Sequence, residues 1–221
     1  MMNKPDAEAL FEIVVKTRNC SSVPFTSEQE RTFREHCHTV AENAKKLASV
    51  IPVLDPDKAY VLGLLHDCGR IKDEISENVF HGLVGYYYML SLNQPEIARI
   101  SLTHSFYDSD FDPSIYSRFH QDIKTCKNLI ANMQYNDYDR LLQLADMTND
   151  MGQTCRIEER AQSICNLYQV PQNVIQSIIR ILNDIKSDFD RRAGIDIYKL
   201  LNLLSQEQQD FHNRHFERHM R

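Results

Sequence analysis

Apolar residues recur three and four positions apart along nearly the whole chain, without the sustained alternation of apolar and polar residues that marks β-strands. This periodicity predicts an all-α fold. The segment 72–78 is polar and is expected to be a loop, and the irregular segment 106–118 is a candidate rim of an active site. Helices are expected near residues 5–17, 26–50, 55–65, 79–92, 95–105, 121–131, 137–150, 157–169, 172–188 and 196–219.

Several helix ends carry recognisable signals. Thr26 and Gln29 have the spacing of a capping box at the start of the long second helix. Asp55 followed by Pro56 is a favourable start for the third helix. Gly69 is expected to end that helix in the left-handed conformation. The dipeptide His66-Asp67 is therefore predicted to lie at the end of an apolar helix.

The composition is that of an ordinary globular protein, with 42% hydrophobic and 25% charged residues in a chain of 221. We expect one helical domain over residues 1–221, with a core at about 26–150 and C-terminal helices at about 157–219 packed on it. The last helices carry an apolar stripe that either packs onto the core or forms a homodimer surface. The stripe consists of Ile175, Ile178, Ile179, Leu182 and Ile185.

The charge and hydropathy of the chain indicate which kinds of molecule it is not expected to bind. The net charge is −6 and no basic stripe occurs, which argues against generic nucleic-acid binding. The apolar runs are too short for a membrane span, so a cytoplasmic protein without membrane association is expected. The six cysteines show no C-x-x-C spacing and are expected to be free, buried thiols.

The dipeptide His66-Asp67 becomes informative through its context. With 9 histidines and 18 aspartates, chance alone supplies about 0.7 such dipeptides in the chain. However, this one follows an apolar helix that contains Leu62, Leu64 and Leu65. Two polar residues buried at the end of a core helix require compensation, which a metal ion would provide.

Helical geometry selects further candidates. His36 shares a face with Phe33 and Val40, whereas His38 points with the charged residues towards solvent. His36 is therefore a candidate metal ligand and His38 is not.

Three more residues face the interior of the predicted bundle. His81 and His104 lie on the apolar sides of their helices, and Asp146 borders an apolar arc. Taken singly, each could be a hydrogen-bonded core residue. Together with His36 and the dipeptide, they indicate a metal site.

The order of these residues resembles the HD superfamily of helical metal-dependent phosphohydrolases, in the subset with two extra histidines. The similarity covers about residues 30–150 and is carried by EHCHTVA (35–41), LLHDCGRI (64–71) and LADM (144–147). It implies an HD-domain helical bundle with additional C-terminal helices. It also implies that one metal is held by His36, His66, Asp67 and Asp146, and a second by His81 and His104, with Asp67 as the bridge.

Imidazole and carboxylate ligands with open positions suit two catalytic divalent metals such as Fe, Mn, Zn or Ni. The resemblance implies hydrolysis of a phosphate ester or phosphoanhydride in a small phosphorylated substrate, such as a nucleotide, by metal-activated water. Asp67 would take part as the bridging carboxylate. Arg70 and Lys72 follow the dipeptide and are candidates to hold phosphate oxygens, with Arg70 favoured.

Alternatives remain within the same resemblance. The chain is most similar to compact HD proteins that hydrolyse symmetric dinucleoside polyphosphates. It lacks the Gly-Tyr-Pro tract of the cyclic-dinucleotide phosphodiesterases. Di-iron oxygenases, such as myo-inositol oxygenase, have a similar ligand pattern, and a non-catalytic HD domain used for binding or regulation is a third hypothesis. The ligands alone do not separate these functions.

Overall fold

The computed structural model describes residues 2–108, 111, 119–168 and 170–203. In these residues the chain forms eleven α-helices and one two-stranded antiparallel sheet, so the all-α prediction is confirmed. None of the described helices is both long and apolar enough to cross a membrane. The helices are α1 Lys4–Asn19, α2 Ser27–Ser49, α3 Pro56–Leu65, α4 Glu74–Glu77, α5 His81–Ser91, α6 Pro95–Thr103, α7 His120–Ile130, α8 Asp137–Met147, α9 Ile157–Tyr168, α10 Gln172–Ala193 and α11 Ile197–Leu200.

The capping hydrogen bonds predicted at the starts of α2 and α3 are present. The Thr26 hydroxyl accepts from the Gln29 backbone N–H while the Gln29 side chain accepts from the Thr26 backbone, which completes the capping box of α2. The Asp55 carboxylate accepts from the first N–H groups of α3, and Pro56 occupies the first helical position. These local bonds set the start of the two helices that carry the first histidine and the His-Asp dipeptide.

Two segments differ from the expected elements. Residues 72–78, expected as a loop, contain α4, because the Asp73 side chain caps the N–H groups of Ile75 and Ser76. The helix expected to reach residue 150 ends at Met147. The chain then forms a hairpin of β1 Asn149–Asp150 and β2 Gln153–Thr154 around Gly152, which has a φ of +88°.

Gly69 has a different role from the expected one, and the prediction of a left-handed helix end was wrong. Helix α3 ends at Leu65, the chain continues through a 3₁₀ turn at Cys68–Ile71, and Gly69 does not adopt a positive φ. A Cβ atom on Gly69 would lie 1.8 Å from the carbonyl oxygen of His81. Glycine is required here because the 3₁₀ turn and α5 touch backbone to backbone.

The core lies between α2, α3 and α8, with α5 packed against α6, α9 and α10 against α8, and α11 against α2. Ile175, Leu182 and Ile185 of α10 are buried in the same apolar cluster as α2 and α3. The stripe of α10 therefore packs onto the core. The helix expected at 196–219 is interrupted early, because α11 ends at Leu200 and Asn202 has a φ of +60°. Residues 204–221 lie outside the described residues, as does most of the predicted rim, at 109–110 and 112–118.

Candidate metal centre

The six candidate ligands meet at one place although five separate segments supply them. They are His36 in the middle of α2, His66 and Asp67 directly after α3, His81 as the first residue of α5, His104 directly after α6, and Asp146 in the last turn of α8. Four of the six are buried, whereas the side chains of His36 and Asp146 retain 12% and 14% exposure. The centre is therefore reachable from the side of these two residues.

The histidine rings form two pairs on either side of Asp67. His36 Nε2 lies 3.2 Å from His66 Nε2, and His81 Nε2 lies 3.2 Å from His104 Nε2. Asp67 Oδ1 is 3.2 Å from His81 Nε2 and 3.5 Å from His104 Nε2, while Asp67 Oδ2 is 3.9 Å from His36 Nε2. The two oxygens of Asp67 thus face different pairs of rings.

Asp146 completes the side of the first pair. Its Oδ1 lies 3.3 Å from His36 Nε2 and 3.8 Å from His66 Nε2. His104 is also near this side, because one donor atom each from His66, His104 and Asp146 lies within 4.8 Å of the others. The two halves of the centre therefore overlap at His104.

Backbone carbonyls fix the orientation of two of the rings. His66 Nδ1 lies 2.6 Å from the carbonyl oxygen of Gly63, and His104 Nδ1 lies 3.1 Å from that of Ile100. A carbonyl oxygen only accepts, so each Nδ1 carries the proton and donates it. The lone pair of each Nε2 then points into the centre.

Side chains fix the orientation of the other two rings, those of His36 and His81. His36 Nδ1 lies 2.8 Å from Asn149 Oδ1, and His81 Nδ1 lies 2.5 Å from Glu74 Oε1. Each acceptor favours the tautomer with the proton on Nδ1, which is the usual arrangement around metal-binding histidines. All four rings are thus oriented to offer Nε2 to the same space.

This arrangement fits a cation. Asp67 Oδ1 is buried and makes no hydrogen bond within the described part of the chain. An orphaned carboxylate oxygen beside converging Nε2 lone pairs is costly unless a positive charge compensates it. The donors are nitrogen and oxygen, the set that suits iron, manganese, zinc or nickel. Burial raises the pKa of the neighbouring Cys68 thiol to about 12, so no thiolate is offered.

The charges of the centre agree with this fit. Burial lowers the pKa of His66 to about 4, so its ring is neutral and its lone pair is available. Burial alone would raise the pKa of Asp67, but nearby positive charge, chiefly that of Arg70, holds it well below its usual range. Burial opposes a charge on His104, yet the neighbouring Asp67 carboxylate raises its pKa. A proton and a cation therefore compete for His104 Nε2, which the Ser105 hydroxyl also approaches to 2.9 Å.

Two positively charged side chains, Arg70 and Lys72, are expected to bind phosphate, and one of them lies at the centre. Arg70 donates from Nε to Asp67 Oδ2 at 2.6 Å and from Nη1 to Glu74 Oε2 at 3.0 Å, and its side chain is 32% exposed. Lys72 lies on the surface with its Nζ 3.0 Å from Glu77 Oε2. The structure thus brings Arg70, and not Lys72, beside the candidate ligands.

Three residues near the centre were not found from the sequence. Glu74 and Asn149 hold the outer nitrogens of His81 and His36. Arg160 of α9 donates to Asp150 at 2.7 Å, and although burial opposes its charge, the nearby charges of Asp146 and Asp150 raise its pKa. Only tertiary contacts reveal these residues, because they show neither a motif spacing nor a helical period shared with the ligands.

Comparison with curated proteins found no match, and comparison with solved structures found none. Comparison with protein families matches residues 33–149 to the HD domain. The match begins before the first candidate ligand and ends at Asn149, so it contains all six. Because it covers more than half of the chain, the protein belongs to the HD domain family.

Proposed function

We propose that this protein is a metal-dependent phosphohydrolase that cleaves a phosphate ester or phosphoanhydride of a small substrate such as a nucleotide. The observation that carries the proposal is the convergence of four imidazole Nε2 atoms and two carboxylates at a place with partial access to solvent. Membership of the HD family supports the reaction class, since most members are metal-dependent phosphohydrolases.

The proposed ligands follow the two pairs of rings. One cation would be held by His36, His66, Asp67 and Asp146, and a second by Asp67, His81 and His104. When bound, divalent cations would polarise a phosphate oxygen and lower the pKa of a bound water molecule towards neutrality. His104 lies near both groups of ligands, because its donor atom is also within 4.8 Å of those of His66 and Asp146.

Arg70 is proposed to bind the substrate phosphate. Its guanidinium is 32% exposed and lies directly beside the candidate ligands, where Asp67 and Glu74 fix its position. A planar guanidinium matches two phosphate oxygens and stabilises the charge that develops on them. Lys72, paired on the surface, provides the matched control: Arg70→Ala is expected to lower kcat/KM about 100-fold, and Lys72→Ala less than about 3-fold.

Phosphate release tests the activity. The protein is loaded with Mn²⁺ or Fe²⁺ and incubated with nucleoside polyphosphates, dinucleoside polyphosphates and simple phosphate esters. We expect phosphate release by the wild type and by the control His38→Ala, since the His38 ring contacts Phe11 away from the centre. His66→Ala is expected to lose metal and at least about 100-fold of the activity.

The same assay separates the other functions. Absence of phosphate release with every metal and substrate would refute the hydrolase proposal. Oxygen consumption by the iron-loaded protein in the presence of a small polyol or phosphonate, without phosphate release, would instead assign the centre to oxygenase chemistry. Metal binding without either reaction would indicate a binding or regulatory domain.

A further inference from the structure

The acceptors that hold the four candidate histidines are chemically unequal. His66 and His104 donate to backbone carbonyls, and His36 donates to the neutral amide of Asn149. His81 alone among these four donates to a carboxylate, that of Glu74. A carboxylate acceptor orients an imidazole more strongly and makes its other nitrogen a better electron donor than a neutral acceptor does.

Glu74 holds His81 at two points. Its Oε1 accepts from the His81 backbone N–H at 2.9 Å and from the His81 ring at Nδ1 at 2.5 Å. Its Oε2 accepts from Arg70 Nη1 at 3.0 Å. The backbone bond also satisfies an N–H at the start of α5, where the preceding residue, Phe80, provides no side-chain cap. One side chain thus fixes both the beginning of α5 and the ring of its first residue.

The position of Glu74 is itself fixed from a part of the chain that the family match does not cover. Helix α4 is capped by Asp73, and Asp73 forms a salt bridge with the buried side chain of Arg18 in α1. Arg18 also reaches the carbonyl oxygen of Arg70 at 3.5 Å. Helix α1 therefore braces the segment that places the carboxylate beside His81.

We propose that Glu74 is a positioning residue that holds His81 in the tautomer protonated at Nδ1, so that metal binding by Asp67, His81 and His104 depends on this carboxylate. The inference rests on the metal centre of the proposed function. It adds a residue that binds no metal itself and acts through His81. The opposite half of the centre, where Asn149 supports His36, is expected to be unaffected by Glu74.

Glu74→Gln and Glu77→Gln form a matched pair for the test. Both replace a carboxylate by an amide in the same four-residue helix, but Glu77 lies on the surface beside Lys72. Each variant is titrated with Mn²⁺, and bound metal per chain is measured by elemental analysis. We expect Glu77→Gln to match the wild type. Glu74→Gln is expected to bind one of its metals about 10- to 100-fold more weakly, the usual effect of removing such a support.

A second measurement reports the tautomer without any metal. Long-range ¹H–¹⁵N NMR spectra of the metal-free protein labelled at histidine show which ring nitrogen carries the proton. The His81 signals, assigned by their loss in His81→Gln, are expected to show protonation at Nδ1 in the wild type and a mixture of tautomers in Glu74→Gln. A change in fold alone would alter the signals of His36 and His66 as well.

The outcomes are distinct. Unchanged metal affinity and unchanged His81 signals in Glu74→Gln would overturn the inference. If the wild type binds no metal, the proposed function fails, but the tautomer measurement still decides the role of Glu74. If Glu74→Gln does not fold, Glu74→Asp, which keeps the charge but shortens its reach, takes its place. Weaker metal binding by a folded Glu74→Asp supports the inference, and wild-type binding overturns it.

Discussion

Replacing Gly69 by alanine is expected to destabilise the protein and to disturb the metal centre together. The new Cβ would lie 1.8 Å from the carbonyl oxygen of His81, 2.7 Å from its carbonyl carbon and 2.6 Å from the backbone nitrogen of Gly85. Since Cβ atoms do not approach other atoms closer than 3.0 Å, α5 must move away by about 1.2 Å. The obstructing atoms are all backbone, so no side-chain rotation relieves the contact.

The size of the effect follows from this geometry. Overpacking usually costs about 1–3 kcal/mol, and a contact with rigid backbone belongs at or above the upper end, at about 3 kcal/mol. For a chain of this length, that lowers the melting temperature by about 6–12 °C. Because His81 is the first residue of α5, its ring moves with the helix, and metal affinity is expected to fall as well.

Thermal unfolding, monitored by circular dichroism, measures the loss of stability. Gly194→Ala is the control, because a Cβ there meets nothing within 4 Å, although Gly194 has a φ of +66°. The left-handed conformation alone is expected to cost about 1 kcal/mol. If Gly69→Ala melts at or above the temperature of Gly194→Ala, the close approach of the 3₁₀ turn to α5 does not limit stability and the reasoning fails.

Two further predictions concern buried charge. Arg99→Ala leaves the fully buried carboxylate of Asp139 without its salt bridge, so we expect a loss of about 3 kcal/mol, measured by urea unfolding; a loss below about 1 kcal/mol would contradict this. Hydrogen bonds from Ser76, followed by the hydrogen bond and charge of Arg18, lower the pKa of Asp73 to about 2. The ionised Asp73 therefore stabilises the fold above pH 4, and this contribution, about 1 kcal/mol after screening by solvent, is lost as the pH falls from 4 to 2. Acid titration of stability should show a smaller loss over this range in Asp73→Asn, and identical curves would count against the lowered pKa of Asp73.

The helical period was sufficient to find the candidate ligands because each one lies within a helix or directly beside one. A residue on the apolar face of a long helix points inward whatever its neighbours are. This distinguished His36, which reaches the centre, from His38, whose ring packs edge-on against Phe11. The dipeptide could be placed for the same reason, since the end of α3 follows directly from its apolar run.

The supporting residues could not be predicted in this way. Helix α4 has only four residues, too short to show a period, and its single local signal is the capping side chain of Asp73. The contact of Glu74 with His81 requires the chain to fold back, so that two residues seven positions apart meet. Asn149 lies in a two-residue strand where a helix was expected to continue, and its contact with His36 spans 113 positions in sequence. Such contacts follow from packing, which a single sequence does not display.

The five separate origins of the candidate ligands also affect how the protein unfolds. Residues 36 and 146 are far apart in an unfolded chain, so a divalent cation would find its full set of ligands only after α2, α3, α5, α6 and α8 have docked. Binding to the folded state alone adds RT ln(1 + [M]/Kd) to its stability, about 2.7 kcal/mol when the free metal is at 100 times Kd. The melting temperature would then rise with the logarithm of free metal and fall with a chelator. The supply of metal in the surroundings would thereby set how long the folded chain persists.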